Sequence, residues 1–312
     1  MAHTPVLLEE TIQFLAPRSA GELMVDATLG EGGHSYAFLS RFPNLQVIGI
    51  DADPDIQGVA RERLKVFGDR VCFYAGWSHD FFADGPSARL DTILIDLGVS
   101  RYHYERGGRG FSFMKDEALD MRLDPARGCG AAALIANLSE KDLADLLYYN
   151  AEERYARRIA RGITEARSRG TITSSVALAE IVAWAVPAHY RHGPIHPATR
   201  TFQALRIEVN GELARLPELL EGALAALKPG GRMGVMSFHS LEDRIVKNFF
   251  REGHKDCTCP PHEPVCRCGG HRKVNLVTPK GVVPQAEEIR NNPPSRSARL
   301  RVVEKVLDGD GV

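Results

Sequence analysis

Met24-Val25-Asp26-Ala27-Thr28-Leu29-Gly30-Glu31-Gly32-Gly33-His34-Ser35, followed by Val47-Ile48-Gly49-Ile50-Asp51, sets one apolar run before a glycine turn and a second before a carboxylate. In this order a doubly wound α/β sheet holds a nucleoside cofactor at its carboxyl edge. Glycines let the backbone approach the ligand, and the later acid accepts hydrogen bonds from ribose hydroxyls. A dinucleotide-binding turn wants its third glycine where Ser35 stands, and commonly has a hydrophobic residue in the place of His34. The stretch therefore predicts a nucleoside cofactor with Asp51 on its ribose. By itself it admits nicotinamide and sulfonium donors alike, or a tight turn with no ligand.

Further β-like runs extend the sheet. Leu23 to Ala27, Val47 to Ile50, Val71 to Tyr74 and Thr92 to Leu97 alternate with helical patterns at Ser35 to Arg41 and Pro54 to Phe67, a βαβ series. Asp91-Thr92-Ile93-Leu94-Ile95-Asp96 is continuously apolar up to its final acid, which suits a central strand buried on both faces. The alternation breaks between about Gly110 and about Arg191, where helix-like segments at Ser139 to Tyr149, Glu152 to Ser168 and Ser174 to Trp184 open on residues fit to cap them. The pattern resumes with a helix at Asn210 to Leu227, a turn at Lys228-Pro229-Gly230-Gly231, a strand at Arg232 to Phe238 and a helix at Leu241 to Arg251. Two last strands are expected at Val274 to Val277 and Ala298 to Val306. The domain expectation is a sheet domain in two parts, residues 1–109 and 196–312, around an all-helical insert at 110–195.

Composition narrows the classes. A net charge of -1 over 312 residues means that a polyanionic partner must be met by local basic patches. No apolar run is long enough to span a bilayer, and Met1-Ala2-His3-Thr4-Pro5 lacks a signal peptide's basic and apolar regions, so a cytoplasmic location is expected. Cys257, Cys259, Cys266 and Cys268 form two Cys-x-Cys pairs around a Pro-Pro turn. Either they close around a structural zinc or they are reduced thiols in a surface loop.

Polar motifs gather where strands should end. Asp96-Leu97-Gly98-Val99-Ser100 ends the fourth strand, and Trp77 follows the third, able to stack on a base or to serve as core. Arg109-Gly110-Phe111-Ser112-Phe113-Met114 is either a flexible lip for a flipped base or a hinge with two buried aromatics. His196-Pro197-Ala198-Thr199-Arg200-Thr201-Phe202-Gln203 and Ser237-Phe238-His239-Ser240-Leu241-Glu242-Asp243-Arg244 are both expected at the carboxyl edge as parts of a polar pocket. Arg154, Arg157, Arg158 and Arg161 share one helix face, either a phosphate-contacting surface or a solvated one.

Together with Gly30-Glu31-Gly32-Gly33-His34-Ser35, Leu119-Asp120-Met121-Arg122 and the opening His3-Thr4-Pro5-Val6-Leu7-Leu8, these motifs resemble the bacterial 16S rRNA (cytosine-N4)-methyltransferase family, in the right order over nearly the whole chain. The resemblance implies a class I S-adenosylmethionine-dependent methyltransferase sheet, Rossmann-like α/β, with an inserted helical domain for RNA recognition. It implies S-adenosyl-L-methionine as donor and a decoding-centre cytidine of 16S rRNA in the small ribosomal subunit as target. Carried over by position, the cofactor contacts are Gly32, Gly33, His34, Asp51, Trp77 and Asp96, with His103 in the place of a family glutamine.

An exocyclic amine is a poor nucleophile because its lone pair is delocalised into the ring. A site that accepts hydrogen bonds from its N–H groups favours the pyramidal nitrogen of the transition state. Asp96, with the carbonyls of Leu97 and Gly98, is the first candidate acceptor, and His239 the second. A nicotinamide oxidoreductase and a non-catalytic RNA-binding assembly factor are the rival readings.

Overall fold

The computed structural model describes residues 4–85, 89–257, 259 and 270–307. In chain order its elements begin with α1 (Leu8–Leu15), β1 (Leu23–Asp26), α2 (Gly33–Arg41), β2 (Gln46–Asp51), α3 (Pro54–Leu64), β3 (Val71–Ala75), α4 (Ser78–Asp84) and β4 (Leu90–Asp96). Next come α5 (Arg101–Glu105), α6 (Ala131–Asn137), α7 (Glu140–Ala151), α8 (Ala156–Arg167), α9 (Ser175–Ala185), α10 (Ala188–Arg191) and α11 (Ala198–Asn210). The chain closes with α12 (Glu212–Ala226), β5 (Leu227–Ser237), α13 (Ser240–Gly253), β6 (Val274–Leu276), α14 (Ala286–Asn291) and β7 (Arg299–Lys305).

The chain divides into two compact units, Met1–Gly98 with Arg215–Val312, and Val99–Ala214. In the first, seven strands run in the order β3-β2-β1-β4-β5-β7-β6. The five strands from β3 to β5 are parallel, while β7 pairs antiparallel with both β5 and β6. The alternating faces of the strands feed separate cores: Met24, Val47, Leu94 and Met236 pack on one side, Val25, Ile50, Ile93 and Val235 on the other. Ile93, Leu94 and Ile95 are all fully buried, as expected of a strand flanked by β1 and β5. The order reverses between β1 and β4, and in open sheets ligands bind outside the strand ends at that reversal.

Several sequence expectations change here. The helix expected at 152–168 starts at Ala156, because Glu152 ends α7 in the left-handed region (φ 50°) and the buried Glu153 carboxylate accepts the Tyr155 N–H at 2.8 Å. The helix expected from Asn210 starts at Glu212; Asn210 instead ends α11, and Gly211 (φ 61°) supplies the left-handed stop. The expected turn at Lys228–Gly231 lies inside β5, whose pairing with β4 shifts register there. The caps are as expected: Ser139 Oγ accepts from Asp142 N at 3.1 Å and Ser174 Oγ from Ala177 N at 3.2 Å.

The helical unit runs beyond the 110–195 expectation at both ends. Ala198, Phe202, Ala204 and Leu205 of α11 belong to the same core as Leu143 and Leu147 of α7, Ile159 and Ile163 of α8, and Leu178 of α9. Phe111 is buried in that core and Phe113 packs against it, stacked on His196 at 4.5 Å. The two phenylalanines thus have the buried places of the hinge reading.

Candidate active site

The carboxyl end of β1 is built around a buried acid. Asp26 is almost fully inaccessible, and Ser35 Oγ donates to its Oδ2 at 2.6 Å, which ties the strand to the first turn of α2. Burial pushes the Asp26 carboxyl up to about 6; the Ser35 and backbone hydrogen bonds pull it down, and the Asp51 charge adds to the rise. Ser35, which argued against a dinucleotide turn, thus has a partner of its own.

The glycine turn is fixed by the protein's own packing. Gly32 caps α2 at φ 72°, and a Cβ there would lie 3.0 Å from Leu64 Cδ1; one on Gly33 would lie 2.7 Å from Pro5 Cγ. The need for glycine at both positions therefore already exists without a ligand. Gly32→Ala is expected to cost about 1–3 kcal/mol through backbone strain and the close contact. Urea unfolding checks this, and an unchanged midpoint would overturn it. His34 is buried, its Nε2 is 3.1 Å from the Val6 carbonyl, and its Nδ1 faces Asp96 Oδ2 at 3.7 Å.

At the end of β2, Asp51 Oδ2 accepts from Gly30 N at 2.8 Å and Oδ1 from Asp53 N at 2.9 Å. A carboxylate has about four lone-pair sites, the chemistry that ribose hydroxyls call for. Asp53 is itself occupied as the cap of α3, accepting from Asp55 N at 2.9 Å. After β3, Trp77 leads into α4; the Arg215 guanidinium lies 4.9 Å from its ring centroid, and its buried Nε1 has no hydrogen-bond partner.

At the end of β4, Asp96 N donates to Thr28 Oγ1 at 2.6 Å and Leu97 N to Met236 O at 2.9 Å, so the strand end is pinned from both neighbouring strands. Asp96 Oδ1 is buried with no partner, although a quarter of the side chain is exposed. Desolvation, and then the charges of Asp26 and Glu242, hold its pKa well above the usual carboxylate range.

After β5, His239 caps α13 in a capping box: its side chain accepts from Glu242 N at 3.4 Å, while Glu242 Oε2 accepts from Phe238 N at 2.8 Å and His239 N at 3.3 Å. With Nδ1 as acceptor, Nε2 carries the proton; it lies 3.1 Å from Glu242 Oε1, outside hydrogen-bond geometry. In that tautomer His239 is a donor.

The first unit therefore gathers Asp26, Asp51, Asp96 and Glu242 around the ends of its parallel strands. Four acids and one orphaned carboxylate oxygen suit a cationic ligand that brings N–H or O–H donors, which the sulfonium, ammonium and hydroxyls of S-adenosylmethionine supply. Asp26 and Glu242 are missed by sequence reasoning. The signal for Glu242 was its place three residues after His239, the capping-box interval; Asp26 lay inside the strand expected at Leu23 to Ala27, which in the structure ends at Asp26 itself.

Other expected residues lie in the helical unit. His103, expected at the cofactor, is buried in α5, its ring 5.2 Å from Phe111 and its Nδ1 3.3 Å from Ser100 O. The His196–Gln203 cluster, expected as a polar edge, is mainly helix: Phe202 and Thr201 are buried, Arg200 donates to the Glu152 carbonyl at 2.9 Å, and burial lowers the His196 pKa. Of the four clustered cysteines, Cys266 and Cys268 lie outside the described residues, and Cys259 N donates to Cys257 Sγ at 3.4 Å. Among the described residues no group of three or more His, Cys, Asp or Glu is arranged to hold a metal, and no helix is long and apolar enough to cross a membrane.

The model of the MraW methylase family matches residues 1–306. The chain is 56% identical to the Treponema denticola protein named ribosomal RNA small subunit methyltransferase H, over 97% of each chain. It is 42% identical to the protein of that name from Treponema pallidum (98% of this chain, 93% of the other) and 46% to that from Desulfosudis oleivorans (97% and 99%). A solved rRNA methylase from Streptococcus thermophilus aligns over 98% of this chain and 99% of its own, at 13% identity and a TM-score of 0.43.

Proposed function

The chain belongs to the MraW methylase family, and on that premise we propose that it moves a methyl group from S-adenosylmethionine to the N4 amine of a decoding-centre cytidine in 16S rRNA. The relatives' name, ribosomal RNA small subunit methyltransferase, supports the substrate class. The observation that carries the chemistry is the Asp96 carboxyl, with one buried oxygen unpartnered at the sheet's reversal point.

S-adenosylmethionine, when bound, supplies an electrophilic methyl on a sulfonium. Asp51 would hold the ribose, Trp77 would lie beside the adenine, and the Gly32 to His34 backbone would line the methionine end. His34, anchored on the Val6 carbonyl, faces the Oδ2 side of Asp96, and Oδ1 is the oxygen left for the amine. As the amine nitrogen becomes pyramidal in taking the methyl, Asp96 Oδ1 would accept from one of its N–H groups, stabilising charge that is fullest in the transition state, and the carboxylate would then take the proton that the methylated amine sheds. His239, occupied as the α13 cap, is assigned to positioning through Glu242. The helical unit, with which His103 is packed, is assigned to RNA recognition.

Mass spectrometry of small-subunit rRNA from a strain lacking this protein tests the reading. An unmethylated decoding-centre cytidine, restored by the wild-type gene, is the expected result. An unchanged cytidine would leave a non-catalytic RNA-binding role in its place.

A further inference from the structure

A cavity of about 460 Å³ opens on the helical unit between the second half of α7 and the start of α8. Asp145, Tyr148, Tyr149, Arg154, Arg157 and Arg158 line it. Tyr148 and Tyr149 are 57% and 67% exposed and meet edge to face at 5.4 Å. Exposed aromatic faces side by side are costly to leave in water unless something covers them.

The charged groups differ from an ordinary solvated arginine stripe. Arg161, one turn on, pairs with Glu140 at 3.7 Å, whereas no such carboxylate pair is seen for Arg157 or Arg158 among the described residues. Arg154 lies over Tyr190 at 4.7 Å and over Tyr155 at 5.1 Å. Those two rings are held from behind: Tyr190 O–H donates to the buried Glu153 at 2.7 Å, and the Tyr155 hydroxyl is 3.0 Å from His189 Nε2. Glu153 is thus spent on internal bonds, leaving Asp145 as the lining's one other acid against three guanidinium groups.

From this arrangement we infer that the α7–α8 cavity binds a single-stranded RNA segment, with Tyr148 and Tyr149 stacking on bases and Arg157 and Arg158 on phosphates. Single strands are recognised by this pairing of π faces with cations, because unstacked bases present faces and the backbone presents charge. The inference rests on the rRNA reading above and adds to it a second contact, made by a segment of the substrate.

The test compares wild type with Arg157→Ala/Arg158→Ala and with Tyr148→Ala/Tyr149→Ala. All four side chains are exposed, so the fold is expected to hold, as circular dichroism would confirm. Fluorescein-labelled oligouridylate and assembled small subunits are the probes. Each double variant is expected to weaken oligouridylate binding and raise KM for subunits on the order of tenfold, with kcat unchanged. The arginine pair should also flatten the dependence of log affinity on log salt by about 0.7 for each phosphate no longer neutralised, an effect packing damage would not produce. Wild-type affinity and salt slope in both variants would overturn the inference. Weaker binding to subunits with unaltered binding to oligouridylate would also overturn it, assigning the cavity to a ribosomal protein. Failure of the wild-type enzyme to methylate subunits would instead strike the functional reading, since oligouridylate binding is measured without turnover.

Discussion

Asp96→Ala is expected to lower kcat for methyl transfer on the order of 10³-fold, the loss typical of removing one preorganised hydrogen-bonding group from a reacting centre. The protein should stay folded and be at least as heat-stable as wild type. Oδ1 makes no hydrogen bond within the protein, and the substitution removes a desolvated charge that Asp26 and Glu242 repel. The carboxylate accepts from an N–H more strongly than the neutral acid does, so activity should rise with pH as Asp96 loses its proton. Because its pKa is raised, that acid limb lies above the ordinary carboxylate range. Asp96→Asn keeps an acceptor oxygen but cannot titrate; it should retain more activity than alanine and lose the acid limb. Turnover near wild type in Asp96→Ala, or an unmoved acid limb in Asp96→Asn, would take Asp96 out of the mechanism.

The second large effect concerns stability. The Asp26 carboxyl has a folded pKa of about 6 against an ordinary value of 3.8. The folded state therefore binds this proton more tightly than the unfolded state does. Its favourable contribution is whole below pH ~3 and is lost as pH rises through ~6, at about 1.4 kcal/mol for each pH unit between the two pKa values, or about 3 kcal/mol in all. Asp26→Asn removes the titration and keeps an oxygen for the Ser35 hydroxyl. The stability of the variant relative to wild type should therefore climb by about 3 kcal/mol between pH ~3 and pH ~7.5, read from urea unfolding of the two proteins at each pH. A difference that does not change with pH would mean that Asp26 is ionised in the folded protein across this range.

The cost of such an acid falls where the proposed ligand is cationic. The carboxylates that repel one another in the free protein are the ones a sulfonium would neutralise. Gly32 and Ser35 show the same doubling of purpose. Both belong to the turn facing the proposed cofactor, yet Leu64 and Asp26 already dictate their size and chemistry.

All seven strands and the βαβ run of parallel strands were legible in the sequence; the antiparallel pairing of β7 was shown by the structure. Apolar runs ended by acids or glycines depend on neighbours only a few residues away. The Ser139 and Ser174 caps were legible for the same reason. Asp51 and Asp96 could be named because a strand's last residue necessarily sits at the sheet's edge. What only the tertiary structure decided were matters of distant partners. Glu153 turned an expected helix start into a break because Tyr190, far along the chain, closes over its carboxylate. The His196–Gln203 stretch, polar as read, joined the helical core because one face of α11 packs on α7 and α9. His239 became a cap through Glu242, and Asp96 acquired its raised pKa from burial and from Asp26 and Glu242 across the sheet edge. Sequence alone determined which strands form and which acids end them. Tertiary structure decided which of those acids lack a partner, because desolvation and charge repulsion depend on what packs alongside, and the local pattern does not carry that information.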